Sequence, residues 1–136
     1  MINLKPSHIL ASVCRVLFPF ILIFGFYIII HGHLSPGGGF QGGAILATAF
    51  LTTYFINFKK ITDLNFLIKM EKIFFLIILL IAMFSLITKG EVFTSFLPTN
   101  SELKPIFLIT LNFFIGIKVA SGLISIIATF IEEGRN

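Results

Sequence analysis

The stretch His31–Ala47, HGHLSPGGGFQGGAILA, decides how this chain folds. Pro36 fixes its own φ and biases Ser35 away from the α region, and three glycines follow at 37–39, where ordering costs the most backbone entropy. A helix arriving from the N-terminal side therefore stops here. Apolar runs lie on both sides, so the turn must reverse the chain between two helices that pack closely behind it. Pro36, Gly37, Gly38, Gly39, Gln41, Gly42 and Gly43 are accordingly expected to build a helix-packing turn. Gln41 is placed so that its amide satisfies exposed backbone groups.

Working outward, 57% of the 136 residues are hydrophobic and only 12% charged, with a mean hydropathy of +1.04. A globule facing water needs a far more polar surface. The expected class is an all-α integral membrane protein forming one domain over 1–136, since no linker or repeat divides it. A single cysteine, Cys14, leaves no internal disulfide and no thiolate metal cluster.

A charge in mid-bilayer is costly, so the gaps between charges mark the spans. Four transmembrane helices result, at about 9–30, 41–58, 73–88 and 105–131. The first holds Arg15 near its start, where it can snorkel, and Pro19, a site for a bend. It is too long for a signal-peptide core, and no small-x-small cleavage site follows. The third is short, and so thins the bilayer or lies against protein. Lys5, Arg15, Lys59, Lys60, Lys69, Lys72 and Arg135 fall on one side, Lys89 and Lys104 on the other. That bias puts both termini in the cytoplasm, the glycine turn outside, and the protein in the cell membrane as a multi-pass chain. The segment from Lys59 to Lys72 mixes these charges with Ile61, Leu64, Phe66, Leu67, Ile68 and Met70, which suits a short amphipathic segment at the interface. The net charge of +4 is a topology signal and calls for no nucleic acid.

Gly37, Gly39 and Gly42 match the glycine positions of a dinucleotide fingerprint, but that mechanism needs a strand before, a helix after and an acid about twenty residues on. The flanks here are membrane helices, and Asp63 lies in a loop across the membrane. A ladder reading fits better. Gly39, Gly43 and Ala47 present small residues on one face, and Gly116 and Ala120, with Ser121 and Ser125 one position round, repeat the device; the two faces are candidates to meet.

His31 and His33 flank Gly32 at the outer mouth. A metal would need further ligands, for which that side offers only Glu91 and Glu102, so no metal site is expected. Hydrogen bonds to loop carbonyls are the plainer role, and proton handling the other, because histidine titrates near neutral pH. Lys118 stands thirteen residues from both Pro105 and Ile131, roughly 20 Å from either end and beyond snorkelling reach. It must face protein or water. Asp63, Glu71, Glu91, Glu102, Glu132 and Glu133 all fall outside the spans, so a partner subunit is expected to supply a carboxylate, failing which the amine is uncharged or hydrated. Lys118, His31 and His33 are thus the candidates for an ion or proton path, against a purely hydrogen-bonding role.

The string from Gly32 to Gly43, GHLSPGGGFQGG, together with Gly116-Ile117-Lys118-Val119, resembles the MnhB/MrpB subunit of multisubunit sodium/proton antiporters. The same module is used in energy-converting membrane-bound hydrogenases and related respiratory complexes. The resemblance implies a small four-helix subunit among other membrane subunits, with no cofactor and no catalysis of its own, in a complex that couples cation and proton movement. Either an ion-path subunit of an antiporter or a scaffold within a hydrogenase-type complex fits. A free-standing transporter fits less well, since no acid is expected inside a span.

Overall fold

The computed structural model describes residues 7–57, 64–94 and 103–134. It has four α-helices: α1 (His8–Ile30), α2 (Gly38–Asn57), α3 (Leu64–Lys89) and α4 (Leu103–Glu133). No strand occurs among the described residues. Lys5, Lys59, Lys60, Ile61, Asp63, Glu102 and Arg135, named above for topology, lie outside them.

Ser7 opens α1 as an N-cap, its hydroxyl accepting the Leu10 N–H at 3.2 Å. Pro19 sits inside the helix without ending it. At the far end the His31 N–H donates to Tyr27 O at 3.0 Å. The turn is shorter than the three glycines suggest, because α2 starts at Gly38 instead of Gln41. Only Gly37 takes a left-handed φ, +84°, and the Gln41 N–H donates to Gly37 O at 2.7 Å. Gly38 and Gly39 are helical, at the entropic cost that glycine carries in any helix. What they contribute is thinness. A Cβ on Gly38 would overlap Gly32 Cα, and one on Gly39 would lie 2.9 Å from Asn112 O.

The third helix departs most from expectation. It starts at Leu64, not Ile73, so the described part of the segment expected to lie at the interface, residues 64–72, belongs to α3. No glycine or proline interrupts 64–89, and charges alone do not stop a helix. Gly90, with φ +75°, ends it, its N–H returning to Leu86 O at 2.8 Å. Beyond it the fully buried Ser85 hydroxyl lies 2.9 Å from Glu91 O and 2.7 Å from Thr94 O, folding residues 90–94 back onto the helix.

α4 packs between α2 and α3, α1 packs on α2 and touches α4, and α3 packs on α4 alone. The two small-residue ladders form the central seam. A Cβ on Gly43 would lie 2.5 Å from Gly116 O, and Ala47 and Ala120 are buried. Such close backbone approach is how helices gain dispersion contacts where lipid removes the hydrophobic drive between them. Ile29 of α1, with no exposed surface, plugs the hole left by Gly42 and Gly116. Gly32 and Gly39 meet α4 at Asn112, so α4 continues past the turn to Leu103.

α1, α3 and α4 are long and apolar enough to cross a membrane; α2 is not among them. Its glycines, threonines and Gln41 dilute its hydropathy, and its place is interior, with Leu46, Ala47, Ala49, Leu51 and Tyr54 buried. Outward, Phe20, Phe24, Phe66, Phe75 and Phe130 are exposed, as suits a chain with lipid or other subunits around it.

Candidate functional site

Lys118 lies midway along α4, and the structure corrects the expectation that its carboxylate must come from elsewhere. Lys118 Nζ is 3.7 Å from Glu71 Oε1, and the two side chains are 34% and 35% exposed. Treating charges as helix ends puts Glu71 outside the spans. α3 runs through it, and the antiparallel packing on α4 brings it to Lys118. Phe75, one turn on from Glu71, lies under the ammonium with its ring centre 5.7 Å from Nζ. On α4 the matching position one turn from Lys118 is Gly122, and a Cβ there would lie 3.4 Å from Glu71 Cδ and Oε1. The carboxylate thus rests on nearly bare helix backbone. Spacing could have found this: Glu71, Phe74, Phe75, Ile78, Ala82 and Ser85 trace one helical face.

The glycine turn is a separate place. His31 Nδ1 lies 2.9 Å from Tyr27 O and His33 Nδ1 3.1 Å from Ile30 O. Both imidazoles thus serve carbonyls at the end of α1, His33 that of Ile30 and His31 that of Tyr27, which also accepts the His31 N–H. The His31 ring also lies against Tyr27, centroids 4.2 Å apart. Lys118 points from α4 toward α3, whereas the turn packs at Asn112, so neither histidine joins the charged pair. Gln41 differs from expectation too. Its side chain is exposed and lies over Gly37, and its contribution to the turn comes through its backbone N–H. Ser121 and Ser125 are buried, with hydroxyls donating to Ile117 O (2.8 Å) and Gly122 O (2.9 Å) of their own helix. No cluster of three or more metal-ligating side chains occurs among the described residues.

A family model described as a domain related to the MnhB subunit of Na+/H+ antiporter matches residues 9–125, from the start of α1 almost to the end of α4. The chain belongs to the MnhB family. Among similar proteins is a Staphylococcus epidermidis chain named "Putative antiporter subunit mnhB2", 36% identical over 72 residues, covering 44% of this chain and 51% of that one. Its Staphylococcus saprophyticus namesake is 41% identical over 46 residues, 34% of this chain and 33% of that one. The MnhB-type chain therefore spans about half the length of the first relative it matches and a third of the second. Among solved structures it resembles a chain of the membrane-bound sulfane sulfur reductase, an archaeal respiratory membrane complex, with a TM-score of 0.72 and 31% identity over 96% of this chain and 60% of that one. Three membrane-length helices and membership of the MnhB family make it a multi-pass membrane protein.

Proposed function

We propose that this chain is a small, non-catalytic subunit of a multisubunit cation/proton antiporter in the cell membrane, where it packs between larger subunits and lends Lys118 to an ion or proton path. All four helices cross the bilayer, α2 shielded by α1 and α4, with both termini cytoplasmic and the glycine turn outside. The observation that carries the reading is a charged pair, Glu71 and Lys118, about halfway along α4 and one-third open, in a chain of the MnhB family. A scaffold alone has no need of it, because intramembrane charge is costly unless it has work to do. His31 and His33, tied to α1 carbonyls, serve the turn before any ion.

The second reading is the equivalent antiporter-like subunit of a redox-driven respiratory complex, favoured by the likeness to a chain of the sulfane sulfur reductase. Purification in mild detergent from native membranes separates the two. Antiporter subunits co-migrating with the chain support the first, and redox subunits support the second. A monomer or homodimer free of other subunits overturns both.

A further inference from the structure

Beside the charged pair, α3 and α4 part to leave a groove of about 680 Å³, lined by Ile68, Ser125, Ile126, Thr129, Phe130 and Glu133. Its inner end stops one helical turn short of the pair. Ile68 stands one turn before Glu71 on α3, and Ser125 one turn after Gly122, against which the Glu71 carboxylate rests. The other end opens beside Glu133, at the end of α4. Ser125, Thr129 and Glu133 recur every four residues, so they form one stripe along the groove. Both hydroxyls turn their hydrogens inward, Ser125 to Gly122 O at 2.9 Å and Thr129 to Ser125 O at 2.8 Å. Each oxygen therefore keeps its lone pairs for the groove. Acceptors thus run from exposed Glu133 and Thr129 to buried Ser125, one turn short of Glu71. Glu71 itself accepts no hydrogen bond from a described residue, its one polar contact being Lys118.

We propose that Glu71 is a proton-exchanging carboxylate one turn beyond the inner end of this groove, fed from the Glu133 end, with Lys118 as the charge that responds to its protonation. The proposal deepens the transport reading above and rests on it. A hydronium in the groove gives its proton to a carboxylate oxygen of Glu71, forming an O–H bond and leaving a water molecule. The pair then changes from net zero to net +1, and the Lys118 ammonium, without a counter-charge at 3.7 Å, is free to turn to an acidic group of a neighbouring subunit. Loss of the proton to water reverses each step. Among the described elements α4 is the one packed on α3, and the charged group it turns toward Glu71 is Lys118. Lys69 and Lys72, on α3 itself, are exposed, and neither is within ion-pair distance of Glu71. Were the pair only a staple between α3 and α4, the acceptor-lined groove behind it would have no consequence.

The experiment uses the complex purified with this chain and reconstituted in liposomes, probed with dicyclohexylcarbodiimide, which adds to a protonated carboxylic acid in an apolar setting. Peptide mass analysis should find the adduct on Glu71, increasing as pH falls. Glu71→Gln should lower proton flux at least tenfold with every subunit still present, and Glu71→Asp should recover part of it. Ser125→Leu/Thr129→Leu, which fills the groove but leaves the pair, should lower both labelling and flux. Full flux in Glu71→Gln, an unlabelled Glu71 at low pH, or indifference to the filled groove would each overturn the proposal. If Glu71→Gln does not assemble, labelling of the native complex and the groove-filling variant decide. A native complex without any ion flux counts against the transport reading instead, and the labelling still reports on Glu71.

Discussion

Ile29 fills the space that Gly116 leaves by having no side chain: a Cβ on Gly116 would lie 2.6 Å from Ile29 Cδ1. Gly42 opens the same hole from α2, so one isoleucine locks three helices. Ile29→Ala should cost about 2–5 kcal/mol, the usual range for emptying a packed site. Gly116→Ala should also destabilise, since the added methyl meets a side chain with nowhere to go. The double variant should be less damaged than the sum, because the new methyl enters the vacated space. Thermal unfolding of the detergent-solubilised protein measures this. Strictly additive losses would show that the two residues do not share a cavity.

Glycines 90 and 43 should respond to alanine to very different degrees. Gly90 has φ +75° and nothing within 4 Å of an added Cβ, so Gly90→Ala should cost only the left-handed strain, about 1 kcal/mol. Gly43 is helical, and its Cβ would press on Gly116 O at 2.5 Å; the helices must move apart. Gly43→Ala should release the chain from its complex on a native gel while Gly90→Ala leaves it in place. The reverse order would contradict the close-packed seam.

The turn, the ladders and the mid-helix place of Lys118 were legible because each depends on local chemistry: proline and glycine stop α1, small residues at four-residue spacing share a face, and an apolar run with no breaker continues on both sides of the lysine. Glu71 was not legible by the same rule. Reading charges as helix ends trims α3 to Ile73, and that trimming removes the acid that meets Lys118. The register of α3 against α4 is a tertiary fact, carried by contacts such as Phe74 on Phe114, centroids 5.8 Å apart. Ile29 escaped notice for a related reason. In a run of isoleucines at 28–30, only packing says which one is the plug.

Ser85 predicts a local effect. Its hydroxyl is fully buried and within hydrogen-bond distance of Glu91 O, Thr94 O and Thr94 Oγ1. Ser85→Ala removes the group that holds residues 90–94 and leaves carbonyls short of a donor, at about 1–3 kcal/mol. Hydrogen exchange should show faster amide exchange confined to the end of α3 and the following turn. Unchanged exchange there would mean that the turn is held by other contacts.

Sidedness has a direct check. In a Cys14→Ala background, a cysteine at exposed Ser35 should react with an impermeant maleimide on intact cells. One at exposed Ser7 should react only after permeabilisation, because the Lys/Arg bias places that end inside. Labelling with the sides exchanged would invert the orientation.

The meeting of the glycine turn with Asn112 has a consequence for the neighbours of this chain. The stretch of α4 from Leu103 to Asn112, roughly 14 Å at the rise of an α-helix, stands above the turn, with the C-terminal part of α3 beside it. The rim on that side is therefore stepped, a low shelf of His31–Gly37 backing onto a tall wall. Whatever sits on the shelf, water or a neighbouring subunit, reaches polar backbone well below the top of the wall, and a partner with a flat end could not seal it.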